Sequence, residues 1–237
     1  MKGVILAGGR GTRLRPVTYV LNKHILPVYD KPMIFYPVET LLSGGIDEIM
    51  VISTPRDIGG YIQLLEEEYD ANFSYRVQKE PGGIAHALSL AEEFVEDTAA
   101  VILGDNVILE NLAEEFRSFE EEDSGAKIFL NEVDEPKRYG VAELNENGEI
   151  DSLIEKPSSP ETNNAVIGLY LYRADVFERI RELEPSDRGE YEITDVNKGY
   201  LQDDDLEFAR IEGEWFDVGT PEGLFKASQC VRKKRTN

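Results

Sequence analysis

A short apolar strand that runs directly into a glycine-rich turn constrains this chain more than any other feature. Residues 3–16 read GVILAGGRGTRLRP. Gly8, Gly9 and Gly11 can adopt backbone conformations closed to other residues, so successive N–H groups can converge on an anion with no Cβ in the way. The three arginines of the turn carry permanent charge on forked donors that suit phosphate oxygens. The segment therefore predicts a phosphate-binding loop after a strand.

Charge is distributed unevenly along the chain. The net formal charge is -22, yet the first 29 residues contain five basic residues and no acidic residue. A polyanionic substrate therefore has one favourable place to bind. The acidic remainder argues against a nucleic-acid partner, whose phosphates it would repel. Its many acidic runs suggest a halophile, because a salt-rich cytoplasm would screen their mutual repulsion.

Two better-known phosphate loops do not fit the turn. A Walker A loop needs Gly-Lys-Ser/Thr, whereas residues 11–13 are Gly-Thr-Arg. The dinucleotide fingerprint GxGxxG begins with Gly9 and Gly11 but has Leu14 in place of its third glycine. A tight turn with solvated arginines is the simpler alternative, and the segregation of charge argues against it.

Segments that favour strands alternate with segments of helical periodicity in the first half of the chain. The predicted strands cover residues 3–7, 48–53, 73–78 and 99–103, and the predicted helices cover residues 33–43, 84–95 and 112–122. Such alternation predicts an α/β fold, a mixed, mostly parallel sheet flanked by helices. The length of 237 residues fits one Rossmann-like domain over residues 1–237, although length alone leaves two small domains open.

The second half has a different pattern. A hairpin is predicted over residues 139–155, with Asn147-Gly148 as a type I′ turn. The other predicted elements are a strand at 165–172, a helix near 175–182, a helix after Glu192, and a last helix that Thr220 caps and Pro221 begins.

We expect residues 232–237 to be a mobile tail.

The sequence also bears on where the protein resides in the cell. The sequence has no apolar run long enough to span a membrane and no signal pattern, and Cys230 cannot form an internal disulfide. We therefore expect a cytoplasmic protein with no membrane partner.

Two aspartates follow apolar segments that predict strands. Asp105 ends AAVILGD, and Asp217 ends GEWFD. Open α/β sheets bind their ligands at the carboxyl ends of strands. Two carboxylates at one such edge would suit Mg²⁺, which takes one or two carboxylates and completes its shell with water and phosphate. Either aspartate alone would more often be a turn or helix-cap residue.

Many motifs together resemble the sugar-1-phosphate nucleotidyltransferases, and within that family the thymidylyltransferase branch. The motifs run from Lys2 to about Gln229 in the order of the family. They are GGRGTRLRP, Asn22-Lys23-His24, LPVYDKPMIFYP, Gln78, LGDN, RYGV, EKP, RGEYEITDV and WFDVGTPE. The GGRGTR loop by itself would indicate only the wider superfamily of nucleoside-triphosphate transferases.

The resemblance implies a role for each motif residue. The implied nucleotide contacts are Leu6, Gly8, Gly9, Gly11, Thr12, Arg13, Gln78 and Gly83. The implied sugar contacts are Asn106, Tyr139, Gly140, Glu155, Lys156 and Val166. The implied catalytic cations are Arg13, Lys23 and Lys156, and the implied Mg²⁺ ligands are Asp105 and Asp217. Without the resemblance, Tyr139 and Val166 would be interpreted as core residues and Lys156 as a surface lysine.

The resemblance also implies the reaction. We expect Mg²⁺-dependent transfer of a nucleotidyl group from dTTP to glucose 1-phosphate, giving dTDP-glucose and pyrophosphate. UTP in place of dTTP remains an alternative, and so does a non-catalytic relative that senses nucleotides. A homo-oligomer is a further expectation.

Three features depart from the family pattern. The segment VILENL after Asn106 is shorter than the corresponding loop of typical relatives. His24 stands where many relatives have glutamine, with an effect that the sequence leaves open. The chain also ends 20 residues after Asp217. We therefore expect the helices that help to form a second nucleotide site in longer relatives to be missing or much reduced.

Overall fold

Strands and helices alternate along the structure, a computed structural model that describes residues 1–236. The strands are β1 (Lys2–Ala7), β2 (Pro27–Val28), β3 (Lys31–Pro32), β4 (Glu48–Ser53), β5 (Asn72–Val77), β6 (Thr98–Leu103), β7 (Asn106–Ile108), β8 (Ala126–Glu132), β9 (Gly140–Leu144), β10 (Ile150–Glu155), β11 (Asn164–Arg173), β12 (Leu206–Arg210) and β13 (Trp215–Asp217). The helices are α1 (Phe35–Ser43), α2 (Ile58–Glu68), α3 (Gly83–Ser89), α4 (Ala113–Glu121), α5 (Val176–Glu182), α6 (Ile193–Gln202) and α7 (Pro221–Thr236).

A nine-stranded mixed sheet forms the centre, in the order β10-β9-β11-β6-β1-β4-β5, with β8 on β11 and β12 on β8. Strands β6, β1, β4 and β5 pair in parallel. Strand β11 runs antiparallel to β6, β8 and β9. The predicted α/β class is confirmed, and the parallel strands come from the first half of the chain, where strands and helices alternate.

Alternate residues of β1 pack on opposite faces of the sheet, as the period of a strand requires. Val4 and Leu6 belong to a core that includes residues of α3, α5 and α6. Ile5 and Ala7 belong to a second core with residues of α1, α2 and α4. The central strand is thus buried on both sides, and its carboxyl end is held rigidly where the glycine-rich loop begins.

Two predicted elements differ from the structure. The predicted helix 84–95 ends at Ser89. Residues 90–94 continue as turns, in which the N–H of Leu90 donates to the carbonyl of Ala87 (3.2 Å) and the N–H of Ala91 to the carbonyl of Leu88 (2.8 Å), the tighter bonding that is common at helix ends. The hairpin has a five-residue loop instead of a type I′ turn. The Asn145 side-chain oxygen accepts from the N–H groups of Asn147 (2.9 Å) and Glu149 (3.1 Å), which fixes this longer loop.

Helix α7 begins as predicted. Pro221 is its first residue, and the Thr220 hydroxyl accepts from the N–H of Gly223 (3.1 Å), as a helix cap does. The helix continues to Thr236, so mobility of the tail stays a prediction, and Asn237 lies outside the described residues. Within residues 1–236, no helix combines the length and the apolar character needed to cross a membrane.

Candidate active site

A cleft of about 370 Å³ lies at the carboxyl edge of the parallel strands. It is lined by residues that follow β1, β5 and β6 and by residues of β9, β10, β11 and β13. Every predicted site residue except Gly11 and Thr12 lines this cleft. Residues up to 211 positions apart in sequence, such as Leu6 and Asp217, therefore share one surface.

The glycine-rich loop follows β1 along one wall of the cleft. Gly9 and Gly11 have φ values of 97° and 56°, in the region that favours glycine. A Cβ on Gly11 would lie 3.1 Å from the Cβ of Lys23, and the Thr18 hydroxyl donates to the Gly11 carbonyl (2.7 Å). Gly11 thus shapes the loop without lining the cleft, and Thr12 is exposed outside it.

One arginine of the loop lines the cleft. Arg13 lies in the short 3₁₀ helix Thr12–Leu14, and the next residue, Leu14, is buried in an apolar cluster with residues of β7 and α7. That packing anchors the Arg13 backbone beside the cleft. Arg15 instead lies over the ring of Tyr19, at 5.0 Å from its centroid.

The two aspartates converge as the sequence predicts. Asp217 pairs with Asn106 across the antiparallel strands β13 and β7. The N–H of Val218 donates to the carbonyl of Asp105 (2.9 Å). The backbone itself therefore holds the two carboxylates at one point of the cleft.

Asp105 is buried, with 8% of its surface exposed. Its carboxylate accepts from the ammonium of Lys23 (2.5 Å). Burial opposes ionisation, but the positive charge of Lys23 outweighs it and lowers the pKa of Asp105 to about 2. Asp105 is therefore an anion throughout the neutral range.

Asp217 also has a cationic partner. Arg138 donates to its Oδ2 (2.8 Å), the Tyr139 hydroxyl donates to the same atom (3.2 Å), and the Gly219 N–H donates to Oδ1 (3.0 Å). The sequence prediction assigned no role to Arg138, although it belongs to the motif RYGV. The sequence feature that could have identified Arg138 is this motif, which places an arginine beside the predicted sugar contact Tyr139.

Glu155 lines the cleft at the carboxyl end of β10. Its Oε2 accepts from Thr194 (2.5 Å), and its Oε1 accepts from Lys156 (3.0 Å) and Arg188 (3.0 Å). Burial opposes ionisation, but the Thr194 hydroxyl and the Lys156 ammonium lower the pKa of Glu155. Thr194 and Arg188 were not predicted as site residues, although both belong to the motif RGEYEITDV.

Asn106 is buried and its amide oxygen is used within the protein. This oxygen accepts from the indole N–H of Trp215 (2.7 Å) and from the N–H of Gly168 (3.1 Å). The Trp215 ring in turn meets Tyr139 edge-on, with centroids 5.6 Å apart. Trp215, which was not predicted, thus joins two predicted sugar contacts.

Two glycines allow close approach around the cleft. Gly83 has a φ of 91°, and a Cβ there would lie 2.6 Å from the carbonyl oxygen of Tyr191. A Cβ on Gly140 would lie 2.9 Å from the Thr194 hydroxyl. Any larger residue would therefore displace the segment 190–194, which forms part of the wall. Val166 and Leu6 supply apolar wall nearby.

The geometry of the cleft agrees with a comparison against known families. A model described as nucleotidyl transferase matches residues 2–234. The chain belongs to this family. The nucleotidyltransferase is 42% identical to the glucose-1-phosphate thymidylyltransferase of Neisseria meningitidis, over 98% of this chain and 83% of that protein.

Solved structures also resemble this nucleotidyltransferase. A Bacillus anthracis protein, provisionally assigned as a glucose-1-phosphate thymidylyltransferase and crystallised with sucrose, superposes with a TM-score of 0.93 at 44% identity, over 98% of this chain and 95% of that one. A UDP-glucose pyrophosphorylase bound to UDP-glucose superposes with a TM-score of 0.86 at 29% identity, over 98% of both chains. The predicted family is therefore confirmed.

His24 has a structural environment that the sequence left open. Its Nδ1 lies 2.9 Å from both the Asn22 side-chain oxygen and the Tyr61 hydroxyl. Burial and the positive charge of Lys23 together lower the pKa of His24 to about 3, although the negative charge of Asp105 opposes this shift. The ring also packs beneath Gly104, where a Cβ would lie 3.0 Å from Cδ2. His24 is thus a neutral support beneath the strand end that carries Asp105.

Proposed function

We propose that this nucleotidyltransferase transfers a thymidylyl group from dTTP to glucose 1-phosphate, giving dTDP-glucose and pyrophosphate. One observation carries the proposal. The cleft is lined by Arg13, Lys23 and Lys156 together with the carboxylates Asp105 and Asp217. Contacts connect these groups, because Lys23 bonds to Asp105, Val218 joins the strand end of Asp217 to Asp105, and Tyr139 bonds to Asp217 and accepts from the N–H of Lys156. That arrangement suits a triphosphate and a sugar phosphate bound together, and the similar protein of Neisseria meningitidis bears the corresponding name.

The residues present fit Mg²⁺ as the proposed cofactor. Asp105 and Asp217 supply two oxygen donors of the kind that Mg²⁺ prefers. Within residues 1–236, no group of three His, Cys, Asp or Glu side chains is arranged to hold a metal alone. Water and substrate phosphates would therefore complete the shell, as is usual for this ion. When bound, Mg²⁺ would neutralise charge on the reacting phosphates.

The chemistry requires no protein nucleophile. A phosphate oxygen of the sugar phosphate bonds to the α-phosphorus of the triphosphate, and the bond from that phosphorus to the bridging oxygen of pyrophosphate breaks. Such transfers depend mainly on alignment and on neutralisation of charge. Arg13 and Lys23 would steady the triphosphate, and Lys156 would orient the sugar phosphate toward it.

Glu155 would bind hydroxyl groups of the sugar. A carboxylate has about four acceptor positions, and three are used by Thr194, Lys156 and Arg188. At least one position therefore remains to accept from a sugar hydroxyl. These three contacts would also hold the carboxylate still while it binds.

Gln78 would read the pyrimidine. It directly follows β5, and its backbone N–H donates to the carbonyl of Ser53 (2.8 Å), which fixes its place at the sheet edge. Thymine and uracil present the same O4 and N3–H groups, so this contact cannot separate dTTP from UTP. Preference for dTTP must come from the methyl group and the ribose, and one methyl supplies only about 10–200-fold.

UTP is therefore the second candidate, and the superposition on UDP-glucose pyrophosphorylase favours it. An assay of pyrophosphate release with four nucleotides and several sugar 1-phosphates would test the proposal. We expect dTTP with glucose 1-phosphate to be turned over fastest. Competition between equal concentrations of dTTP and UTP would decide the base, and mostly UDP-glucose in the product would establish the alternative. No release with any pair would favour a non-catalytic sensor.

A matched pair of arginine variants tests the assignment of the loop. Arg13→Ala should lower kcat by about 10²–10³, the effect of removing one preorganised charged donor. Arg10→Ala removes an exposed arginine outside the cleft and should change kcat by less than about threefold. The cytoplasmic location and the homo-oligomer stay predictions, and light scattering on the purified protein would test the latter.

A further inference from the structure

His86 makes a side-chain contact that none of the proposed roles uses. It lies on α3, and its Nδ1 is 3.3 Å from the side-chain nitrogen Nε2 of Gln78. Among residues 1–236, this is the hydrogen bond that the Gln78 amide makes to the protein. The orientation of that amide is therefore controlled by one ring nitrogen.

The His86 ring is itself held in place. A Cβ on Gly82 would collide with Nδ1 and would lie 2.7 Å from Cγ, so the ring packs directly on the backbone of Gly82. On another side, Tyr191 lies with its centroid 6.2 Å away, and its N–H donates to the Gly82 carbonyl (2.8 Å). The ring thus has little freedom to turn away from Gln78.

We propose that His86 is a positioning residue that fixes the Gln78 amide and so selects 4-keto over 4-amino pyrimidine nucleotides. The inference rests on the proposed function, because it takes Gln78 as the residue that reads the base. An amide nitrogen can only donate, so Nδ1 accepts and the ring proton is on the histidine Nε2. The reversed amide would place the lone pairs of Oε1 against the lone pair of Nδ1, and it could bond to the ring only after the ring proton had moved from the histidine Nε2 to Nδ1.

The fixed amide matches the base edge that thymine and uracil share. Its second N–H can donate to O4 and its Oε1 can accept from N3–H, as thymine and uracil require. Cytosine has an amino group at position 4 and an unprotonated N3, so it requires the reversed amide. Reversal requires either the loss of the bond to His86 or that change of tautomer. Loss of a neutral hydrogen bond corresponds to about tenfold in selectivity, which is the upper limit of the effect.

Two variants separate the hydrogen bond from the packing. His86→Asp places a carboxylate, which only accepts hydrogen bonds, near the position of Nδ1, and His86→Leu fills similar space without an acceptor. For His86→Leu we expect the ratio of kcat/KM for dTTP over dCTP to fall toward the limit of about tenfold, whereas His86→Asp should keep it within about threefold. The ratio for dTTP over UTP should not change in either variant, because both bases present the same edge.

An unchanged ratio of dTTP over dCTP in an active His86→Leu protein would overturn the inference alone. Failure of the wild-type protein to use dTTP would instead overturn the proposed function.

A measurement on the wild-type protein covers the case in which the leucine variant does not fold. The chain has 2 histidines, so a ¹⁵N spectrum of the ring nitrogens can be assigned with His86→Asp. We expect an unprotonated Nδ1, and a protonated Nδ1 would overturn the inference.

Discussion

Lys156 combines a proposed catalytic side chain with an unfavourable backbone conformation. Its φ is 43°, and a left-handed conformation costs a residue with a Cβ about 1–2 kcal/mol. The N–H of Lys156 donates to the carbonyl of Tyr139 (3.0 Å), which holds the backbone in this position. The Lys156 side chain is 43% exposed, and its ammonium lies 3.0 Å from Glu155. Activity and stability therefore depend on different parts of the same residue.

Replacing Lys156 by alanine or by glycine separates the two parts. Both variants lose the ammonium, so both should lower kcat by about 10²–10³. The lost ion pair is partly exposed and should cost less than about 1 kcal/mol in either variant. Alanine retains the strained Cβ. Glycine removes that strain, about 1–2 kcal/mol, but loses about 0.5–1 kcal/mol through the entropy of the unfolded chain.

The glycine variant should therefore be more stable than the alanine variant by about 0.5–1 kcal/mol, or about 1–4 °C in Tm for a chain of this size. Thermal and urea denaturation would measure the difference. Lys137 is a matched control, since it is exposed in the 3₁₀ helix Pro136–Arg138. At position 137 the order of stability should reverse, with the alanine variant more stable than the glycine variant. If Lys156→Ala were as stable as Lys156→Gly, the strain argument would be wrong, and an unchanged kcat would refute the role of the ammonium.

Four further outcomes follow from the charges. Asp217→Asn should lower kcat at least about 10²-fold, because a charged ligand to the proposed ion is lost, with the circular dichroism spectrum unchanged. Lys23→Ala should destabilise the fold by about 3 kcal/mol in urea, because it leaves Asp105 buried and unpaired, whereas Arg13→Ala should cost less than about 1 kcal/mol. The pKa of Glu155 is lowered, so the stability that wild type has over Glu155→Gln should persist above about pH 4.5 and disappear as the pH falls further. With a net charge of -22, Tm should rise from low to molar salt, and a flat or falling Tm would contradict the halophile interpretation.

Local signals made much of the fold predictable. Strand β1 and its glycine-rich loop are encoded in one continuous segment, and β4 occupies the predicted residues 48–53. Both aspartates follow short apolar segments, and the edge of an α/β sheet is where strand ends meet. Helix ends were less predictable. The periodicity of residues 84–95 predicted one helix, but α3 ends at Ser89 and residues 90–94 form turns.

Contacts between distant residues could not be predicted from the sequence. Arg138 and Asp217 are separated by 79 positions, and Trp215 and Asn106 by 109. Their pairing depends on the register of β13 against β7, which no local pattern specifies. The motifs RYGV and WFDVGTPE contained these residues, but a motif does not state which atoms touch. Thr12 shows the converse, since it belongs to the motif and lies outside the cleft.

The pairing of charges explains how so acidic a protein can accept two phosphorylated substrates. Asp105 is paired with Lys23, and Asp217 with Arg138, so neither aspartate presents an uncompensated negative charge to an incoming phosphate. Within residues 1–236, no carboxylate oxygen lies within 4.0 Å of the Arg13 guanidinium. Arg13 can therefore meet a phosphate without first leaving a carboxylate. In the proposed reaction Lys23 would exchange Asp105 for the triphosphate, and such an exchange would be favourable only when a cation, the proposed Mg²⁺, took its place beside Asp105. Binding of nucleotide and metal should for this reason be mutually dependent.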